Sequence, residues 1–247
     1  MKIATWNVNG IRARHTQFVE WAQSAQPDVI CLQEIKAKIE QIPDICHLAD
    51  YWCYWHGAAA YSGVGLHLRK ATFPEEPKFS HPEFDNETRI VQAHVGDTVY
   101  ASVYVPNGGK DYPAKIDFVK ALIAYARAHR DRGLNLVICG DYNIARTDMD
   151  VHPKERKPGI IGQRPEERAL LEAMLDEGLV DVGRKLYPDD ENYFSWWAPW
   201  RNLRQRNIGW RLDYVLASEA LADRATSCPS FREIGTSDHA PVVATFE

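Results

Sequence analysis

The stretch Thr88-Arg-Ile-Val-Gln-Ala-His-Val-Gly-Asp-Thr-Val-Tyr-Ala-Ser-Val-Tyr-Val105 decides the fold class. It holds two runs rich in β-branched and aromatic residues, Thr88 to Val95 and Val99 to Val105, joined through Gly96-Asp97, and so predicts an antiparallel hairpin. Parallel neighbours need a crossover of a dozen or more residues, so a hairpin argues against a purely parallel, doubly wound sheet. Outward from it, Asp28-Val-Ile-Cys-Leu32 and Leu134 to Cys139 are apolar runs too short for helices, and they read as buried strands. Between the strands, Phe18, Trp21, Ala22 and Ala25 recur at helical spacing, as do Ile116, Val119, Ile123 and Ala126, and later Leu170, Leu171, Met174 and Leu175. Each such stripe suits a helix covering one sheet face. A mixed α/β sandwich follows, with loops at Phe73-Pro-Glu-Glu-Pro77, Ser80 to Asn86 and His152 to Pro165.

With 247 residues, 45% of them hydrophobic, and no break in composition, the chain is expected to form one domain spanning 1–247. A net charge of −5 argues against a protein that coats nucleic acid by bulk electrostatics, so any polyanion must be met by a local basic face. The five cysteines form an odd set with no CxxC, which predicts neither a disulfide framework nor a zinc site. Cys31 and Cys139 lie within apolar runs and read as small core residues. The first residues already read as a strand and no apolar stretch approaches the ~18 residues of a membrane span, so a cytoplasmic setting is expected.

Four polar clusters sit at the ends of apolar runs: Trp6-Asn7-Val8-Asn9-Gly10, Gln33-Glu34, Gly140-Asp141-Tyr142-Asn143 and Ser237-Asp238-His239. Carboxylates, amides and an imidazole on different strand ends are the groups that metal-assisted phosphodiester hydrolysis needs. Glu34 places a carboxylate where a hard cation could sit; taken alone, it reads better as a solvated surface residue. In an extended segment Asp141 and Asn143 point to the same side, where a carboxylate beside an amide can orient a water; an Asx turn is the plainer alternative. Asn7 and Asn9 show the same alternation and can donate to phosphate oxygens or fix a carboxylate. His239 suits a general acid or base, or a cation beside a pentacoordinate phosphorus, if a carboxylate orients its other ring nitrogen. Asp213, in Trp210-Arg-Leu-Asp-Tyr214, is the candidate. Trp196, Trp197, Trp200 and Trp210 interleave with Arg201, Arg204, Arg206 and Arg211, with no acidic residue from Arg201 to Arg211. The arginines are read as phosphate contacts and the aromatic faces as a wedge or sugar pocket, with at least two indoles expected in the core.

Taken together, Asp28-Val-Ile-Cys-Leu-Gln-Glu-Ile-Lys36, Tyr104-Val-Pro-Asn-Gly108, Gly140-Asp-Tyr-Asn143, Asn207-Ile-Gly-Trp-Arg-Leu-Asp-Tyr-Val-Leu-Ala-Ser218 and Ser237-Asp-His239 resemble the exonuclease III family of apurinic/apyrimidinic (AP) endonucleases. The resemblance runs from end to end. It implies a four-layer αββα sandwich of two mixed sheets, acting on double-stranded DNA with abasic sites or blocked 3′ ends, and a monomer is the default for a single-domain nuclease of this size. It implies Mg²⁺-dependent cleavage 5′ to an abasic site, with Mn²⁺ substituting, together with 3′-to-5′ exonuclease and 3′-end trimming. Glu34 would be the principal metal ligand, with Asn9 and Asp238 beside it, although some relatives carry Asp where this chain has Asn9. Asp141 and Asn143 would handle the attacking water, Asn7 and Tyr104 would hold the phosphate, and His239 with Asp213 would stabilise the transition state. Trp196, Trp210 and Leu212 would form the pocket for the baseless sugar. Asn107, Lys110, Arg201, Arg204 and Arg206 would meet the DNA. The chain departs from the family pattern at Gln163-Arg164 and in the loop bearing Trp200, which bears on substrate preference more than on the reaction.

Overall fold

The computed structural model describes residues 1–247. Along the chain run β1 (Lys2–Asn7), α1 (Ile11–Ala25), β2 (Val29–Gln33), β3 (Tyr51–His56), β4 (Val64–Arg69), β5 (Lys78–Ser80), β6 (Ile90–Val95), β7 (Thr98–Tyr104), α2 (Tyr112–Asp131), β8 (Asn135–Asp141), α3 (Pro165–Leu175), β9 (Leu179–Asp181), α4 (Val182–Leu186), β10 (Asp213–Ser218), α5 (Glu219–Ala222), β11 (Ala225–Ser227) and β12 (Val242–Phe246). The expected hairpin is β6–β7, closed by Gly96-Asp97 with Val95 opposite Thr98. One six-stranded sheet has the order β11-β12-β1-β2-β4-β3 and the other β5-β6-β7-β8-β10-β9. Each is mixed: β1–β2 and β7–β8 are parallel, and the other pairs are antiparallel.

Period-two alternation builds the layers. Ile3, Val29, Cys31, Val64 and Leu66 of the first sheet meet Tyr100, Val137, Cys139 and Val215 of the second in one core between the sheets. The alternate residues Ala4, Trp6, Ile30 and Leu32 face outward onto Phe18, Val19, Trp21 and Ala22 of α1. On the opposite outer face Val99, Ala101, Ile138 and Leu216 pack under α2 and α3. Helix, sheet, sheet and helix make the four-layer αββα sandwich. The stripe on α2 differs from the expected one. Its buried face is Lys115, Phe118, Val119, Leu122, Tyr125, Ala126 and His129, while Ile116 and Ile123 are half-buried. The helix rotates because it packs on α3 as well as on the sheet, and Lys115 is drawn inward by Glu167 of α3, 2.5 Å away.

This topology gathers polar ends at one edge of the sandwich. β1 and β2 run parallel, so Asn7 finishes beside Gln33. Tyr104 and Asp141 end β7 and β8 in register, and Asp213 begins β10 directly opposite Asp141. Gly140 makes the approach possible: a Cβ there would lie 1.8 Å from the Val103 carbonyl oxygen. All five cysteines are free thiols, and Cys31 and Cys139 are core residues. No helix is long and apolar enough to cross a membrane.

Candidate active site

Asp141 stands at the centre. Asn7 of the first sheet donates from Nδ2 to Asp141 Oδ2 at 2.9 Å and to Glu34 Oε1 at 3.0 Å, joining the two sheets. Asn143 donates its backbone N–H to Asp141 Oδ1 at 2.9 Å and its amide to Oδ2 at 3.3 Å. This corrects the expectation of simple alternation: the strand ends at Asp141 and Asn143 turns into the left-handed region at φ 53°. The Asx turn and the carboxylate–amide pair are therefore one structure. Asn9, Glu34 and Lys36 are also left-handed, at φ 45°, 50° and 50°. Such strain costs of order 1–3 kcal/mol per residue and concentrates at functional sites.

His239 is buried, with Nδ1 donating to Asp213 Oδ2 at 2.8 Å and Nε2 lying 3.7 Å from Asp141 Oδ2. Ser195 escaped sequence reading, yet its hydroxyl donates to the same Asp213 oxygen at 2.7 Å and accepts the backbone N–H groups of Leu212 and Asp213. Burial alone would lower the imidazole's pKa, but the Asp213 and Asp141 carboxylates outweigh it and raise the value to about 10. For Asp141, burial raises the pKa to about 7, with the charges of Asp213 and Glu34 adding to it against the pull of His239. The pair is thus poised with a cationic imidazole beside a carboxyl that titrates near neutrality.

Glu34 follows β2, and its position is fixed where Gly10 donates to its carbonyl oxygen at 2.7 Å. Burial pushes its pKa up, but hydrogen bonds from Asn7 and Lys36 and the charge of His239 prevail and lower it. Tyr104 donates its hydroxyl to Glu34 Oε1 at 2.8 Å. Burial and the neighbouring carboxylates Glu34 and Asp141 hold the phenol pKa well above its ordinary value, so it stays a donor. Lys36 lay inside a quoted motif but carried no assigned role. Its ammonium bridges Glu34 Oε2 at 2.6 Å and Asn9 Oδ1 at 2.6 Å. Asn9 Nδ2 in turn donates to Asp238 Oδ1 at 2.8 Å, and Trp196 Nε1 to Asp238 Oδ2 at 3.0 Å. The oxygens of Glu34 and Asn9 already cradle one cationic group, with Asp238 beside them, and hard oxygen donors of this kind suit Mg²⁺ or Mn²⁺. Glu34, Asp141 and His239 also bring one potential ligand atom each within 4.8 Å of one another.

Beside His239 lies an apolar wall. The Trp196 and Trp210 rings meet edge to face at 5.5 Å, and Trp196 lies 6.4 Å from the His239 ring. Leu212, Ala145 and Val151 complete the cluster. Asn107, Lys110, Arg201 and Arg206 are exposed, as is Trp200, at 60%. Two arginines read as phosphate contacts are committed elsewhere. Arg211 is buried, paired with Asp150 at 2.7 Å and Asp181 at 2.7 Å. Arg204 binds backbone carbonyl oxygens of Arg232, Ile234, Ser237 and His239. Their letters match a basic loop, but long-range partners take up their donors, carboxylates for Arg211 and carbonyl oxygens for Arg204. Of the four indoles in this stretch, Trp197 and Trp210 lie in the core, as expected.

The model of the Endonuclease/Exonuclease/phosphatase family matches residues 4–239. The chain belongs to this family. As a member of the endonuclease/exonuclease/phosphatase family it is similar to the exodeoxyribonuclease III of Haemophilus influenzae, 34% identical over 272 residues and covering 100% of both chains. Among solved structures it is similar to an AP endonuclease from Archaeoglobus fulgidus, with a TM-score of 0.90, 30% identity and coverage of 100% and 99% of the two chains. A 3′ phosphatase from Neisseria, bound to a product DNA hairpin, superposes with a TM-score of 0.90 at 31% identity, again covering 100% and 99%. Family membership makes the chain a phosphodiesterase-type enzyme and agrees with the exonuclease III resemblance carried by its motifs.

Proposed function

We propose that this chain is a Mg²⁺-dependent DNA-repair AP endonuclease. It hydrolyses the phosphodiester 5′ to an abasic site to leave a 3′-hydroxyl and a 5′-deoxyribose phosphate, and it trims 3′ ends as an exonuclease. The observation that carries the reading is the Trp196–Trp210 wall beside His239, in a site otherwise built for phosphate. An abasic sugar leaves the stack at less cost than a normal nucleotide, which must unpair, unstack and house its base, a difference of a few kcal/mol. A small apolar pocket therefore selects the lesion without reading a base.

Asp141, its pKa raised to about 7, accepts the proton of the attacking water while Asn7 and Asn143 fix its oxygens. The new P–O bond forms as the bond to the 3′ oxygen breaks, and that oxygen leaves as an alkoxide that takes a proton from solvent to become the 3′-hydroxyl. His239, raised to about 10 and held by Asp213, presents a cation to the charge that builds on the phosphate oxygens. The raised pKa of His239 favours its charged form, which supports Asp141 in the role of base. The Tyr104 hydroxyl and the Asn7 amide donate on the same side. Glu34, with Asn9 and Asp238, would hold the metal, which when bound neutralises phosphate charge and polarises the P–O bond. All these groups come from one chain, which supports action as a monomer, and the common core between the sheets supports residues 1–247 as one catalytic domain.

The reading is tested with a panel of a duplex carrying one tetrahydrofuran abasic analogue, the undamaged duplex and a phosphorylated inositol lipid, each with Mg²⁺ and with EDTA. Preference for the abasic duplex, lost in EDTA, supports it. Equal cutting of both duplexes would indicate a general nuclease, turnover of the lipid alone a phosphatase, and binding without turnover an inactive lesion marker.

A further inference from the structure

Arg204 is half-buried at the base of the loop that exposes Trp200 and Arg201. Its Nε donates to the Arg232 carbonyl oxygen at 2.8 Å and Nη2 to that of Ile234 at 2.7 Å. Nη1 donates to the carbonyl oxygens of Ser237 and, at 3.4 Å, His239. The guanidinium carbon lies 5.3 Å from the centre of the Trp197 ring, and Trp197 donates its backbone N–H to the Asp238 carbonyl oxygen at 3.0 Å. Ser237, Asp238 and His239 are thus each gripped through their backbone by one residue pair from this loop. The turn lies outside the strands, held to the rest of the chain by one isolated antiparallel bridge between Trp196 and His239 and by Trp6 Nε1 donating to the His239 carbonyl oxygen at 3.3 Å, and a rigid planar fork of donors can satisfy several of its carbonyl oxygens at once.

We propose that Arg204 is a positioning residue for the Ser237–His239 turn and not a phosphate contact, coupling the loop of Trp200 and Arg201 to the placement of Asp238 and His239. The inference rests on the hydrolase reading above. It deepens that reading, because a side chain in a basic loop acts on rate and not on affinity. With its donors on carbonyl oxygens and one face against Trp197, Arg204 has little left to offer a phosphate. A lysine supplies a point charge with the same sign but cannot reproduce the fork.

Arg204→Lys and Arg204→Gln, in the full chain, separate the two roles. Single-turnover rate and KM on the abasic-analogue duplex are measured beside the salt dependence of binding in EDTA, with Arg201→Gln to calibrate the loss of one contact. Displacing a catalytic group by about 1 Å can cost on the order of 100-fold, so the rate should fall at least about tenfold in Arg204→Gln and by less, though measurably, in Arg204→Lys. KM and Kd should stay within about twofold, and the salt slope should not change, whereas loss of a phosphate contact lowers the slope by about 0.9. If Arg204→Gln does not fold by circular dichroism, Arg204→Lys decides alone. Wild-type rate and affinity in Arg204→Lys, or weaker binding with a shallower salt slope and an intact rate in Arg204→Gln, would overturn the inference. A wild-type chain that fails to cut the abasic duplex is instead a failure of the proposed function, and the same comparison then applies to whichever phosphoester of the panel it hydrolyses.

Discussion

Replacing Asp213 with asparagine preserves the side chain's shape and removes its charge. His239 Nδ1 lies 2.8 Å from Asp213 Oδ2, and this carboxylate leads the charges that lift the imidazole from 6.5 to about 10 against the effect of burial. Without it, burial works against Asp141 and Asp238 alone, and His239 should fall back toward its ordinary value of 6.5. The sign follows: a raised imidazole keeps its proton as pH rises, and a lowered one loses it within the working range. With a pKa of about 6.5, roughly one molecule in thirty carries the proton at pH 8 and about three in four at pH 6. The Asp213→Asn variant should therefore trail the wild type at pH 8 by up to about 30-fold, and the deficit should shrink by up to about 25-fold by pH 6, on top of any constant loss from a misaligned ring. The assay is single-turnover cleavage of the abasic-analogue duplex at each pH, expressed as a ratio to wild type. A ratio that does not vary with pH would refute the cationic role of His239.

The pH profile of the wild type should show a rising limb through about 7, as Asp141 loses its proton, and a fall above about 10, as His239 loses its own. Asp141→Asn should abolish the rising limb and cost at least about 100-fold, as expected for a lost acid/base group; a steady-state profile of this variant that matches the wild type would remove Asp141 from the mechanism. Trp210→Ala opens the apolar wall, so the ratio of abasic to undamaged cutting in a competition assay should fall severalfold, and an unchanged ratio would place lesion selection elsewhere. Asp150→Ala leaves the buried Arg211 and the half-buried Arg184 without their shared carboxylate, which should cost about 3–5 kcal/mol in urea unfolding. A loss below about 1 kcal/mol would mean that the cluster relaxes or hydrates.

The layers were legible because alternation and helical stripes are local signals: the Gly96-Asp97 hairpin and the strands through Val29 and Ile138 needed only neighbours in the chain. Strand ends were legible for the same reason, and with them Glu34, Asp141 and Asp213, whereas His239 lies in the turn that precedes β12. What escaped depends on partners far away in sequence. Ser195 sits in no polar cluster, and only the folded chain brings it to Asp213. Arg211 and Arg204 look like any basic loop residue until Asp150, Asp181 and the 232–239 carbonyl oxygens are placed around them. Lys115 is written as a polar break in the α2 stripe, yet with Glu167 it forms a fully buried pair and donates to the Asn143 carbonyl oxygen at 2.8 Å. The turn of Asn143 into the left-handed region was open to either reading, because a period of two and an Asx turn place the same letters two apart.

Cleavage on the 5′ side of the lesion is tested by mapping the ends made on a duplex with one abasic analogue, labelled on either side of the lesion, in Mg²⁺. One incision immediately 5′ to the analogue, leaving a 3′-hydroxyl that a polymerase extends, is the predicted result. Incision on the 3′ side, or cuts scattered equally over the undamaged strand, would contradict it.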